Sequence, residues 1–474
     1  MLFNSGEFLI FYILVTSLYF ACPYKFRWLI LLAASCYFYM AFVPIYILIL
    51  GFTIVIDYFA GIFIERTMEP HRRKMLLAAS IVANVGVLAV FKYFNFINLN
   101  ISVLLHKFNY HNPIPYLAIL LPIGLSFHTF QAMSYTIEVY RGKQKAERHF
   151  GIYSLYVMFY PQLVAGPIER PQNILPQMHA KHPFDYNLMV SGLRMMLWGF
   201  FKKLVIADRL SIYVNMVYNH PKSYNGSEIA IASIFFAIQI YCDFSGYTDI
   251  AIGCAKTMGF DLMKNFNRPY FAANIQDFWR RWHISLSTWF RDYVYIPLGG
   301  SRVSTGRLFF NLFIVFLLSG IWHGANYTYV IWGLLHCLYY VTYLIIKPYL
   351  PKEPKNQTAA MLMRTAGILL TFALVTFAWI FFRANSVTDA FTLIRGLKTI
   401  GAKPIYGAGS SNLVHSLIPI AILFLVEYKM EYLPQKFNLA SQNVVVKWSV
   451  VMLTVFLILT FGVFNGPRFI YFQF

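Results

Sequence analysis

Apolar runs long enough to cross a lipid bilayer recur along the whole sequence. A membrane-spanning helix needs about 20 mostly apolar residues, and the run from 308 to 346 contains no Asp, Glu, Lys or Arg. Only 12% of the 474 residues are charged and 58% are hydrophobic, whereas soluble domains are about a quarter charged. A water-soluble enzyme and a disordered chain are both excluded, because neither carries so much apolar material. The sequence therefore predicts an integral membrane protein with many spans.

Basic residues concentrate in three turns of the first third of the chain, at 23–27, 65–74 and 141–149. Counting the crossings between them places all three on one side of the membrane. The positive-inside rule makes that side cytoplasmic and puts the N-terminus outside. We predict one all-α membrane domain over 1–474, with about eleven transmembrane helices and with further re-entrant or interfacial helices. The run 151–165 is short for a span and leads into a Pro-containing stretch, which predicts a broken or re-entrant element.

The net charge of +20 is the next constraint. In a membrane protein it is explained by cytoplasmic loops and lipid headgroups, so we predict no nucleic-acid partner. The cysteines lie in or beside apolar runs without a C-x-x-C pair, which predicts neither a disulfide framework nor a metal site. They are Cys22, Cys36, Cys242, Cys254 and Cys337. No Walker loop, HExxH or GxSxG motif occurs, and we predict no bound cofactor.

A histidine interrupts the long uncharged run of 308–346. His323 lies between Gly320 and Gly324, and glycines inside an apolar run indicate a chain break or a close approach. An imidazole at such a break would be partly desolvated and neutral, which is the state that a general base needs. The alternative is a core histidine bonded to a carbonyl, and from the residues alone the two interpretations are equally supported. His336 lacks flanking glycines and is assigned to packing.

Tryptophan and arginine alternate through the segment 268–291. A stripe at helical spacing predicts one amphipathic helix, and its members are Trp279, Trp282, Leu286, Trp289 and Tyr293. Arg280, Ser287 and Arg291 share the opposite face, and Asp277 is placed to pair with Arg281. His283 lies at the border of the two faces, where it could turn into a cavity. Composition alone favours an interfacial anchor with an incidental histidine.

Carboxylates inside apolar runs need partners. Asp243 and Asp249 interrupt the run around 239–249, and we predict that they face arginines of the 280–291 helix. Their role is mainly architectural, with a smaller chance that they line the site. Glu138 adjoins the basic turn at 141–149 and is predicted to be a salt-bridge partner at a helix end.

Several of these motifs together resemble the membrane-bound O-acyltransferase (MBOAT) family. The resemblance rests on 267–271, on 277–287 with its Arg-Trp-His motif, and on 319–324 with its Trp-His-Gly motif. Within the family, the alginate O-acetyltransferase branch is the most similar. Its likeness covers nearly the whole chain and extends to the segments 1–5, 163–168, 241–247, 289–300 and 321–326.

The resemblance implies transfer of an acyl group from a cytoplasmic thioester through a funnel or tunnel in the membrane. It makes His323 the catalytic residue and His283 the second essential position. It implies acetyl-CoA as donor, a bacterial surface polysaccharide (alginate, cellulose or peptidoglycan) as acceptor, an extracytoplasmic SGNH-type transferase as partner, and the bacterial inner membrane as location. Seven residues near these motifs are candidate substrate contacts: Trp322, Asn326, Arg280, Arg281, Trp282, Ser287 and Asp243.

Three alternatives to this function remain. The D-alanylation branch, which acts on teichoic acid, shares the two histidine motifs but lacks the Ile-Pro-Leu-Gly-Gly and Gly-Ala-Asn segments. A proton-coupled transporter would also place His and Asp in its spans, although no inverted repeat is visible. A structural subunit of a secretion complex would be indifferent to both histidines. The enzyme is favoured over the last two.

Overall fold

A computed structural model describes residues 1–117, 122–164, 166–351, 354–401, 410–433, 442–464, 466 and 469–470. Within these ranges the chain forms helices and no strand, which confirms the all-α prediction. Its residues group into two compact units. The first comprises 1–196 and 248–263, and the second 197–247 and 264–474.

Among the described residues, nine helices begin in the first unit. They are α1 (Gly6–Ala21), α2 (Tyr24–Met40), α3 (Tyr46–Arg66), α4 (Pro70–His106), α5 (Leu125–Tyr140), α6 (Phe150–Met158), α7 (Tyr160–Leu163), α8 (Pro171–His179) and α9 (Tyr186–Phe200). Local sequence sets several of their ends. The Ser5 side chain accepts a hydrogen bond from Phe8 N at the start of α1, and Pro70 occupies the first turn of α4, where its missing N–H is no loss.

After α9 the chain continues into a π-helical segment at Phe201–Ala207. The remaining helices are α10 (Asp208–Asn219), α11 (Gly226–Thr257), α12 (Ile275–Arg281), α13 (Ile284–Phe290), α14 (Thr305–His323), α15 (Tyr327–Ile346), α16 (Gln357–Arg383), α17 (Val387–Gly396), α18 (Ser410–Tyr432) and α19 (Val444–Phe461). Helices α9 and α11 each contribute residues to both units.

Seven helices in the described part of the chain are long and apolar enough to cross a membrane. They are α3, α4, α11, α14, α15 with its short extension, α16 and α19. The protein is therefore a multi-pass membrane protein, and the count of eleven spans stays a prediction. The span predicted from residue 116 is shorter than expected, because its helix begins at Leu125; residues 118–121 lie outside the described ranges.

The three basic turns meet on one side of the first unit. Arg148 forms an ion pair with Glu65, and Arg73 donates a hydrogen bond to the Tyr140 carbonyl at 2.8 Å. The Trp28 ring, just after the first turn, packs against the His149 ring at 4.7 Å. The predicted common side is thus a contiguous surface. Glu138 bonds to Arg141 at the end of α5, as predicted.

The element predicted to be broken at 151–165 is broken at Phe159, between α6 and α7; Ala165 lies outside the described residues. Side chains satisfy the carbonyl groups that the break exposes. Gln162 Nε2 donates to the Tyr156 carbonyl at 2.8 Å, and a His128 ring nitrogen lies 2.9 Å from the Leu163 carbonyl. Non-helical backbone at membrane depth is stable only where such partners exist.

Helix α4 is unusually long. Its 37 residues rise about 55 Å at 1.5 Å per residue. In its second half, asparagine side chains form hydrogen bonds with the segment 114–117 that follows the helix. Asn95 donates to the Leu117 carbonyl at 2.8 Å and accepts from Leu117 N, while Asn98 donates to the Ile114 carbonyl at 3.0 Å.

The prediction of one amphipathic helix across 275–293 is wrong. The segment forms α12 and α13, and His283 between them adopts the left-handed conformation with φ of 43°. The reason is competition for backbone hydrogen bonds: Ile284 N donates to the Asn265 carbonyl, and the Arg281 carbonyl accepts from Asn267 N. A continuous helix would need those groups itself. Trp282 and Trp289 are buried within the unit, which also contradicts the interpretation as a lipid-facing anchor.

Candidate functional site

His323 is the last residue of α14, and the predicted break follows it directly. Gly324 is extended, and Asn326 caps α15 by accepting a hydrogen bond from Thr328 N. The side chain of His323 is buried, with its ring 4.9 Å from that of Trp332 and 5.2 Å from that of Phe382. The structure therefore places His323 where a helix stops inside the protein.

Two glycines make this arrangement sterically feasible. A Cβ on Gly320 would lie 2.5 Å from the Tyr329 carbonyl oxygen, and one on Gly324 would lie 2.1 Å from the Tyr329 ring. Both distances are far below van der Waals contact. The glycines beside the histidine thus provide both the break and the close approach of α14 to α15 that the sequence predicts.

His283 is held in a defined orientation by Asn265. The His283 Nδ1 atom lies 3.1 Å from Asn265 Oδ1, which also accepts hydrogen bonds from Ser285 N at 3.2 Å and Ser285 Oγ at 2.9 Å. The Ser285 backbone N–H can only donate, so the asparagine atom facing it is the oxygen. His283 Nδ1 must therefore carry the proton, and Nε2 presents a lone pair. Burial also lowers the pKa of His283 well below its ordinary value, so the ring is neutral.

The structure brings both histidines into contact with one tryptophan. The ring of Trp322 lies 4.9 Å from that of His323 and 6.2 Å from that of His283. The Phe244 ring packs edge-on against His283 at 4.7 Å. A buried imidazole at the end of a spanning helix and a second one with a fixed tautomer thus contact the same tryptophan ring.

A cavity of about 490 Å³ lies in the same unit, between α12–α13 and α14–α15. Its lining includes Arg280, Ser287 and Arg291, the three residues that the sequence placed on one face. Ser319, one helical turn before His323, also lines it. Arg291 is paired with Asp292 at 2.8 Å. The cavity combines arginine charge with apolar walls, a composition suited to an anionic ligand with an apolar part.

The other predicted contacts serve mainly to hold the chain in place. Arg281 pairs with Asp277 at 3.0 Å, as predicted, and also with Glu431 at 2.9 Å. Trp282 stacks on Phe278 in the core. Asn326, besides its cap, donates to a backbone carbonyl of the α16–α17 connection.

The predicted arginine partner of Asp243 is wrong. Asp243 Oδ1 lies 2.6 Å from Lys203 Nζ, and its Oδ2 accepts from Ile470 N at 2.7 Å. Lys203 also pairs with Asp208 at 2.7 Å, so one buried ammonium serves two buried carboxylates. The pairing predicted for Asp249, which lies in the first unit, stays a prediction.

Three residues of this neighbourhood escaped the sequence analysis. Lys203 could have been found, because a lysine inside an apolar run is unusual. Asn265 carries no such signal, since nothing near it in sequence indicates that it faces His283. Glu431, which bonds Arg281 and Arg268 at 2.9 and 2.7 Å, is likewise recognisable only from the folded chain. In the described residues no cluster of His, Cys, Asp or Glu could hold a metal ion.

Comparison with known proteins identifies the family. The model of the membrane-bound O-acyltransferase family matches residues 148–387, which include both histidines and the cavity. The chain belongs to the MBOAT family. It is therefore an acyltransferase, and it is most readily compared with named members of that family.

Two MBOAT relatives align over most of the chain. The probable alginate O-acetylase of Pseudomonas aeruginosa is 34% identical over 446 residues, 94% of this chain and 84% of the relative. The peptidoglycan O-acetyltransferase of Helicobacter pylori is 35% identical, covering 78% of this chain and 73% of the relative. The teichoic acid D-alanyltransferase of Bacillus subtilis is 29% identical over 55% of this chain and 68% of the relative. The similarity to alginate O-acetylases predicted from the motifs is confirmed.

Proposed function

We propose that this MBOAT protein is an O-acetyltransferase that moves acetyl groups from acetyl-CoA, supplied on the membrane face with the basic turns, toward a polysaccharide on the other face. The observation that carries the proposal is that His283 and His323 both contact the ring of Trp322. The arginine-lined cavity of the same unit includes Ile284 and Ser319, which are close to the two histidines in sequence. Relatives that cover most of the chain are named for O-acetylation of alginate and of peptidoglycan, which supports a polysaccharide hydroxyl as the final acceptor.

In the proposed reaction His323 acts as general base. It takes the proton of an attacking hydroxyl as the oxygen bonds to the thioester carbonyl carbon; the carbon–sulfur bond then breaks, and the proton passes to the leaving thiolate. A transient acetyl-imidazole on His323 is the alternative, in which the ring nitrogen attacks first. Arg280 and Arg291 would attract the phosphates of the donor.

The tautomer of His283 limits what it can do. A neutral ring that donates from Nδ1 to Asn265 offers an acceptor at Nε2. It can therefore orient a donor N–H or O–H of a bound substrate, whereas polarising the thioester carbonyl would require a proton on Nε2. We propose that His283 orients the substrate rather than activating the carbonyl.

A hydroxyl-bearing partner on the far side completes the proposed pathway. Neither the Trp-His-Gly nor the Arg-Trp-His segment supplies a Ser-His-Asp arrangement, so an SGNH-type transferase outside the membrane would provide the serine and pass the acetyl group to the polysaccharide. We place the protein in the bacterial inner membrane with its basic turns in the cytoplasm, following the positive-inside rule.

Transfer across sealed vesicles tests the proposal. Labelled acetyl-CoA is supplied on the face that bears 65–74 and 141–149, and label is followed to an acceptor on the opposite face. His323→Phe should abolish transfer. His336→Phe is a matched control, because His336 is also a buried histidine of the α14–α15 pair and is surrounded by aromatic rings. Equal transfer by the two variants would remove His323 from the mechanism.

Donor substitution in the same assay tests the alternative within the family. The named D-alanyltransferases make a D-alanyl thioester the alternative donor, although they align with about half of the chain. Transfer of D-alanyl but not acetyl groups would favour that function. Membership of an acyltransferase family argues against the transporter and the structural subunit.

A further inference from the structure

The first unit contains a small basic cavity that the proposed acyl transfer does not use. Its volume is about 160 Å³, and it lies between the α1–α2 turn, the start of α6 and the end of α8. Its polar lining is cationic or histidine-rich: Lys25, Arg27, His149, His179 and His182, with Tyr19 and Tyr24. None of the described lining residues is acidic.

Arg27 is fixed in the wall of this cavity. Its guanidinium lies over the Tyr19 ring at 4.8 Å, and it donates to the Cys22 carbonyl at 3.2 Å and the His182 carbonyl at 2.6 Å. Neutral carbonyl oxygens hold the group in place but do not cancel its charge. A positive charge is thus built into the cavity with a defined geometry.

His149 adds a neutral donor. Its Nδ1 accepts a hydrogen bond from Ile152 N at 3.1 Å, capping the first turn of α6. The proton of the neutral ring must therefore be on Nε2. His182 and His179 are already committed, since His182 Nε2 lies 2.8 Å from the Gln177 carbonyl and His179 is paired with Glu147 at 2.7 Å. Lys25, Arg27 and His149 are left as the groups that can bind an anion.

The volume of the cavity and the apolar side chains around it restrict which ligands can bind. At about 30 Å³ of liquid volume per water molecule, the cavity has room for about five waters, which suits a phosphate group and excludes a whole coenzyme. Its lining takes Lys25, Arg27 and His149 from two of the basic turns. Exposed apolar side chains adjoin its lining residues in the sequence, namely Leu18, Phe26, Leu29 and Phe150. Such a surface fits acyl chains, so one molecule with a phosphate and a lipid tail would satisfy both parts.

We propose that this cavity binds the headgroup phosphate of an anionic glycerophospholipid from the leaflet next to the basic turns. Lys25 and the fixed charge of Arg27 attract the phosphate, and His149 donates a hydrogen bond to it. Basic pockets between helices on the cytoplasmic side of membrane proteins are suited to anionic headgroups. The lipid would bridge α1–α2, α6 and α8, and would stabilise the first unit independently of acyl transfer.

Lipid titration of the purified, delipidated full chain tests the site. Native mass spectrometry and thermal melting are measured with phosphatidylglycerol, and with phosphatidylcholine of the same chain length. We expect preferential binding of phosphatidylglycerol, weakened about fivefold by Lys25→Gln. Lys74→Gln is the matched control, because Lys74 is exposed in another basic turn of the same surface and does not line the cavity. It should bind phosphatidylglycerol as the wild type does.

His149→Phe provides a second test that leaves the net charge unchanged. It should also weaken phosphatidylglycerol binding, with acetyl transfer retained. Equal binding of the two lipids, or equal losses in Lys25→Gln and Lys74→Gln, would overturn the proposal. Displacement of the lipid by micromolar coenzyme A would assign the cavity to the acyl donor, and saturation by inorganic phosphate alone would assign it to free phosphate; either result overturns the lipid assignment.

Discussion

Removing the oxygen of Asn265 should impair both the stability of the His283 loop and the rate of transfer. In Asn265→Leu, three donors lose their acceptor, namely His283 Nδ1, Ser285 N and Ser285 Oγ, and they respond differently. The imidazole can move its proton from Nδ1 to Nε2, but the Ser285 N–H can only donate and is left without an acceptor. A buried donor without a partner costs about 1–3 kcal/mol. We therefore expect a stability loss of that size, measurable as a lower melting temperature in detergent.

The effect on the rate of acetyl transfer follows from the change in the tautomer ratio of His283. One hydrogen bond contributes a net 0.5–1.5 kcal/mol or so, which corresponds to a change of about 2- to 13-fold in the ratio of the two tautomers. If catalysis uses the Nε2 acceptor of His283, kcat for transfer from acetyl-CoA should fall by about that factor, with a smaller change in KM. Ser285→Ala is the control, because it removes the hydroxyl donor and leaves the bond between Asn265 and His283 intact.

Asn265→Asp separates the positioning role from simple packing. Aspartate keeps an acceptor at Nδ1 of His283, but its charge raises the pKa of the imidazole. Activity should be retained at high pH and lost as the pH falls and His283 becomes protonated, with the loss beginning at higher pH than in the wild type. A folded Asn265→Leu protein with unchanged kcat, or an Asn265→Asp profile identical to that of the wild type, would refute the reasoning. Failure of acetyl transfer in the wild type itself would instead refute the proposed function.

Three further predictions concern stability, each measured by thermal or denaturant unfolding in detergent. Gly320→Ala should destabilise the protein by about 1–3 kcal/mol, because the new Cβ would lie 2.5 Å from a backbone oxygen of α15; an unchanged melting temperature would contradict the close approach. Lys203→Met should cost about 3–5 kcal/mol by leaving Asp208 and Asp243 buried without their cation, and a variant that also carries Asp243→Asn should recover part of the loss. Burial raises the pKa of Glu431, but hydrogen bonds from Arg268 and Arg281 outweigh it and lower the pKa below its ordinary value. The stability that results is present above the unfolded pKa of about 4.3 and is lost as the pH falls through the lower folded pKa. Glu431→Gln should therefore make the free energy of unfolding less dependent on pH in the acid range.

Local chemistry explains which parts of this fold the sequence could predict. The break after His323 follows from the glycines beside it, whose effect is confined to neighbouring residues. The broken element at 151–165 has a similar local cause in the Pro-containing stretch that ends it. The prediction that the three basic turns share one side likewise depends only on counting the crossings between them. These predictions hold because the determining residues lie within one or two helical turns of the feature.

Where a distant segment competes for the same backbone groups, the predictions from the sequence are wrong. The spacing of Trp279, Trp282 and Trp289 fits one helix, but hydrogen bonds from 265–267 interrupt it at His283. The partner of Asp243 is a lysine forty residues earlier, and no periodicity connects the two. The candidate site residues stay a prediction from the histidine motifs, whereas Asn265, which orients His283, gives no signal in the sequence. Orientation depends on contacts across the fold, and one sequence does not contain them.

The length of α4 has a mechanical consequence. A bilayer core is about 30 Å thick, so a helix of about 55 Å extends beyond it, even allowing for a tilted crossing. The asparagine bonds to 114 and 117 stiffen the far end against bending. A crossing that starts at the basic turns would therefore carry the last turns of α4 to a height beyond the hydrocarbon core on the opposite side. An epitope inserted after its last turn, near Asn109, would be carried at that height and would serve as an orientation marker in electron micrographs.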